Sequence, residues 1–135
     1  ERYHIQIVNI SVGTMEKEEV GEDSELVRAV NRVWDSGLIV CVAAGNNGPG
    51  EGSVTTPGIS RKVITVGSSE ANADTDYSGR GPNFSCIIKP DLVAPGSNIC
   101  SCKRVGRTVP SRMEENFYYT RKSGTSMATP IVSGD

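Results

Sequence analysis

The chain has 135 residues, enough for one domain with a core. Its 36% hydrophobic content includes only 5% aromatics, so Val, Ile, Leu and Ala must fill that core. A net charge of −2 gives no basic surplus for nucleic acid or an anionic membrane surface, and no apolar run is long enough to span a bilayer. The 15 glycines and 7 prolines cluster in a few stretches, which fits shaped loops in a folded protein better than disorder.

In chain order, residues 2–10 read as a strand carrying Ile5, Ile7, Val8 and Ile10, closed by Ser11 and Gly13. An acidic stretch over 16–25 follows, and it and the basic stretch over 103–122 read as solvated surface. Ser24 caps a predicted helix over 25–36, where Leu26, Val27, Ala29, Val30, Val33 and Trp34 share one wide face and Gly37 ends the helix. The continuous apolar run 38–44 predicts a strand buried on both faces. Strand, helix and strand with short connections make a βαβ unit, hence a parallel sheet.

The glycine- and proline-rich loop 45–58 begins at the carboxyl end of that strand, where open α/β sheets build their sites. Short strands follow at 63–67 and 91–94, then an irregular or hairpin excursion over 103–119. A buried helix starts at Ser126 with Met127, Ala128, Ile131 and Val132, and Pro130 is expected near its first turn, where a missing N–H costs little. The expected fold class is therefore α/β: three layers, a mostly parallel sheet and flanking helices.

Of the four cysteines, Cys41 lies inside the apolar run and reads as a small buried hydrophobe. Cys86, Cys100 and Cys102 form no CxxC pair, so no metal site is expected and reduced thiols are the default over a disulfide from Cys86. Asn9-Ile10-Ser11 and Asn83-Phe84-Ser85 fit the glycosylation pattern by chance. A phosphate-binding loop at 45–52 fails because no Lys-Ser/Thr follows its glycines.

The strongest signal is Gly124-Thr125-Ser126-Met127-Ala128-Thr129-Pro130. It places a serine in the first turn of a helix, where free N–H groups and the positive dipole end favour an anion. A Gly-Thr-Ser alone is most simply a capped helix start, and Asn46 in Asn46-Asn47-Gly48 is most simply a turn residue. The full string, however, resembles the nucleophile motif of the subtilisin-like serine proteases.

Three further regions resemble that family in the same order. They are Val8-Asn9-Ile10-Ser11-Val12-Gly13; Ala43-Ala44-Gly45-Asn46-Asn47-Gly48-Pro49; and the pair Ser78-Gly79-Arg80-Gly81-Pro82 and Lys89-Pro90-Asp91-Leu92-Val93-Ala94-Pro95-Gly96. The resemblance implies a serine endopeptidase acting on peptides or proteins without a cofactor. Ser126 would be the nucleophile and Asn46 an oxyanion-hole donor. Ser11, Val12 and Gly13 would form a substrate-binding edge, and Ala43, Ala44 and Gly45 a second pocket wall. Thr55 would lie near the pocket floor and Asn47 at its rim. No charge lines these positions, so apolar or medium-sized substrate side chains are expected. The resemblance also implies a weak backbone-carbonyl cation site near Gly58, Ser60 and Val63.

A serine triad also needs a base and an orienting carboxylate. In family order both precede the oxyanion asparagine. His4, the sole histidine, lacks the family's His-Gly-Thr context, and no aspartate stands in an Asp-Thr-Gly or Asp-Ser-Gly setting. Residues 1–135 are thus expected to be the C-terminal part of a catalytic domain, incomplete at both ends and inactive alone. The alternative is a non-catalytic peptide-binding or self-associating module, dimerising through exposed sheet edges. The sequence leaves localisation open.

Overall fold

The computed structural model describes residues 3–15, 21–69, 76–82, 86–104 and 118–135. Four parallel strands form one sheet in the order β1 (Ile7–Ile10), β2 (Ile39–Ala43), β3 (Ile64–Ser68) and β4 (Leu92–Ala94). Helix α1 (Glu25–Asp35) connects β1 to β2, as the βαβ reading expects. Ser24 Oγ accepts the Leu26 N–H at 3.2 Å, and Gly37 ends the helix at φ 92° with its N–H on the Trp34 carbonyl.

The pleat sorts side chains to two faces. Val8 and Ile10 of β1 and Val40 and Val42 of β2 pack with Val30, Val33 and Trp34 of α1. On the other face, Ile64, Val66 and Ala94 meet Ala128, Ile131 and Val132 of α2 (Thr125–Gly134), which touches all four strands. The molecule is thus a three-layer α/β structure. Among the described residues, no helix is long and apolar enough to cross a membrane.

Several expectations need correction. β1 begins at Ile7, five residues later than predicted, because His4 adopts φ 46° and breaks the extended run. Pairing then starts where the Gln6 carbonyl accepts the Ile39 N–H. Pro130 is the sixth residue of α2, so it withdraws the N–H that would bond the Ser126 carbonyl. An antiparallel pair, β5 (Ile99–Cys102) and β6 (Tyr119–Lys122), flanks the excursion, most of which lies outside the described residues, as do Asn83 and the first half of the acidic stretch. Cys41 is buried; Cys86, Cys100 and Cys102 are exposed, and all four are free thiols.

β3 and β4 are locked by a buried ammonium. Lys89, 5% exposed, donates to the Val63 carbonyl at 2.8 Å and to Asp91 Oδ2 at 2.6 Å. The same carboxylate oxygen accepts the Thr65 N–H at 2.7 Å, and the Asp91 N–H returns to the Thr65 carbonyl. Asp91→Ala strands a buried charge and should cost about 3 kcal/mol. Lys89→Met leaves a carboxylate that reaches water, and should cost nearer ~1 kcal/mol. Denaturant midpoints of the two variants test this, and the reverse order would refute it.

The lysine also bears on the expected cation site. It already engages the Val63 carbonyl, while the Gly58 carbonyl accepts Thr65 Oγ1 at 2.6 Å. Buried Ser60 donates its hydroxyl to Asn31 Oδ1 at 2.5 Å. Two of the three carbonyls are committed to donors of the chain itself, and we propose no cofactor there.

Candidate active site

The carboxyl ends of β1 and β2 and the first turn of α2 meet around one cleft of about 350 Å³. Ser11, Val12, Gly13, Ala43, Gly45, Asn46, Asn47, Thr55, Thr125 and Ser126 line it. Of the residues expected at the site, only Ala44 lies outside the lining. It is fully buried, its N–H donating to the Val66 carbonyl and its own carbonyl accepting the Thr55 N–H.

Ser126 is the second residue of α2, so its N–H has no helical carbonyl four residues back. Its hydroxyl donates to the Ser11 carbonyl at 2.8 Å. A carbonyl holds that hydroxyl in place but cannot take its proton at neutral pH; a titratable base must do that. His4 is not placed to do so. It precedes the amino end of β1, whereas Ser11 follows the carboxyl end, and the strand between them alone spans roughly 10 Å.

Asn46 is fixed by Thr125, the residue before Ser126. Asn46 Oδ1 accepts the Thr125 N–H at 2.9 Å and the Thr125 hydroxyl at 3.1 Å. Thr125 Oγ1 in turn accepts the Gly45 N–H at 3.1 Å. With the side-chain oxygen so committed, the Nδ2 group remains as the donor. It lies 3.2 Å from where a Cβ on Gly124 would stand, and Gly124 itself sits at φ 149°. The backbone conformation favours glycine there, and an added Cβ would also press on the amide. The signal for Thr125 was its place between the glycine and the serine, a buried β-branched hydroxyl inside the motif.

Thr55 fills the space between the two pocket walls. A Cβ on Gly13 would fall 2.3 Å from Thr55 Oγ1, and one on Gly45 would fall 2.5 Å from Thr55 Cγ2. The threonine is 4% exposed and donates to the Ala44 carbonyl at 3.3 Å. Below the cleft, Thr14 and Thr56 exchange backbone hydrogen bonds at 3.0 Å, tying the Ser11-Val12-Gly13 segment to the same loop.

This arrangement of serine, amide and strand edge has relatives. The family model described as the subtilase family matches residues 1–134. The chain belongs to the subtilases. Serine protease AprX of Bacillus subtilis (strain 168) is 43% identical, covering 84% of this chain and 28% of AprX. A subtilisin of Bacillus sp. (strain TA39) is 31% identical, covering 95% of this chain and 30% of the relative. Among solved structures, sphericase superposes with a TM-score of 0.68 at 29% identity, over 96% of this chain and 41% of its own. The patellamide maturation protease PatA also gives 0.68, at 30% identity over 96% of this chain and 42% of its own. This subtilase chain therefore spans less than a third of the two curated relatives.

Proposed function

We propose that these residues form the nucleophile-bearing, C-terminal part of a subtilisin-type serine endopeptidase domain. The observation that carries this reading is the Thr125-oriented Asn46 amide beside the helix-borne Ser126. Ser126 Oγ attacks the scissile carbonyl to give an acyl-enzyme, and the oxyanion is met by Asn46 Nδ2 and the Ser126 N–H. The backbone of Ser11, Val12 and Gly13 pairs with an extended substrate, so affinity there depends little on substrate sequence. The base and its orienting carboxylate come from outside residues 1–135, and the segment alone has little activity. Oxyanion binding without a base retains only a small part of the rate.

A fluorophosphonate probe tests this. The parent protein should label at Ser126, while the 135-residue segment should stay unlabelled. An unlabelled parent would instead favour the rival reading, a self-associating module without catalysis. That rival rests on the sheet's two edge strands, where Ile7, Leu92 and Val93 are exposed.

Thr55 would set the size limit of the pocket. In the parent, Thr55→Gly should raise kcat/KM for phenylalanine over alanine, at the residue donating the scissile carbonyl, by about tenfold. Measured on a matched pair of peptide substrates, an unchanged ratio would remove Thr55 from the pocket floor.

A further inference from the structure

The proposed oxyanion donors stand on separate loops, Asn46 after β2 and the Ser126 N–H at the head of α2. Residues 76–82 touch the supports of both. The Tyr77 carbonyl accepts the Gly48 N–H at 2.9 Å, and the Gly79 N–H donates to the Gly45 carbonyl at 2.9 Å. These two bonds bracket Asn46. The Ser53 N–H to the Arg80 carbonyl and the Arg80 N–H to Ser53 Oγ, both 3.0 Å, extend the seam.

From the same tyrosine, the hydroxyl reaches the other side. It lies 3.0 Å from Ser68 Oγ and 3.0 Å from Ser97 Oγ. Ser68 ends β3, is 7% exposed, and donates its N–H to Ser78 Oγ at 3.0 Å. Its Oγ also lies 2.5 Å from the point a Cβ on Gly96 would occupy. Ser97 follows Gly96, whose carbonyl accepts the Gly124 N–H at 2.8 Å. A route of short contacts thus runs from the asparagine loop, through Tyr77, to the glycine that starts the serine helix.

We propose that Tyr77 is a positioning residue that sets the spacing of the two oxyanion donors, an inference that rests on the assignment of Ser126 and Asn46. The phenol carries one proton, so it donates to one serine and accepts from the other, and its ring is a stiff arm with few rotamers. Phenylalanine fills the same volume and loses both bonds. Asn46 stays anchored through the Tyr77 backbone carbonyl, while Ser97, Gly96 and Gly124 gain freedom. The damage falls on the alignment that matters in the transition state, and the substrate groove is untouched.

In the whole protease, Tyr77→Phe should lower kcat about five- to tenfold, the scale of one or two neutral hydrogen bonds, with KM within twofold. Ser97→Ala should do the same, and the double variant should be little worse than either single one. Amide exchange at Gly124 should quicken in Tyr77→Phe while that at Gly48 holds. Unchanged kcat, a loss confined to KM, a fully additive double variant, or unchanged exchange at Gly124 each overturns the proposal. A wild-type parent that ignores the fluorophosphonate defeats the protease reading instead, and exchange at Gly124 then decides the role of Tyr77 by itself.

Discussion

Ser126→Ala should lower kcat of the whole protease by about 10⁶-fold with KM nearly constant, the size of effect that subtilisin itself shows for its nucleophile. The substitution is mild for the fold. Alanine favours a helix, Ser126 is half-buried, and the one bond lost is that to the Ser11 carbonyl. Stability should hardly change, so the loss is chemical. The remaining rate comes from the oxyanion donors and the substrate edge, which lower the barrier to attack by water without an acyl-enzyme. Steady-state kinetics with a peptide anilide, alongside an active-site titration, make the measurement. A variant within tenfold of wild type would move the nucleophile elsewhere.

Asn46→Asp should reduce kcat by 10²–10³-fold or more, the range subtilisin gives when its oxyanion asparagine is lost. Aspartate is the sharper choice than alanine. It keeps an oxygen to accept from the Thr125 N–H and hydroxyl, so the local geometry survives. What it removes is the donor, and it sets a negative charge where the oxyanion develops. KM should change little, because ground-state binding runs through the edge strand. If Asn46→Asp retained most of its turnover, the Nδ2 group would have no part in catalysis. Asn46→Ala should fall in the same range with an added loss of stability of about 1–3 kcal/mol, since the N–H and hydroxyl of buried Thr125 then lose their acceptor.

The sequence was most legible where local chemistry and burial agree. The Ser24 cap, the apolar face of α1 and the uninterrupted run of β2 each have one physical solution, and the structure adopts it. Legibility failed where the deciding contact is distant or made by backbone. β5 and β6 pair residues about twenty positions apart, and their exposed Cys100 and Cys102 give no alternating apolar signal. The left-handed turn at His4 leaves no mark in an otherwise strand-like run. In the cleft, the motif strings marked the neighbourhood, while the bonds orienting Asn46 depend on a threonine 79 positions away.

The hydrogen bond from Ser126 to the Ser11 carbonyl joins groups 115 positions apart, and α2 rests on every strand of the sheet. A ribosome delivers Ser11 and then Asn46 well before it delivers Ser126. The segments after β1 and β2 are thus in hand long before Thr125 and Ser126, and the cleft they share is complete only once α2 has docked on the sheet.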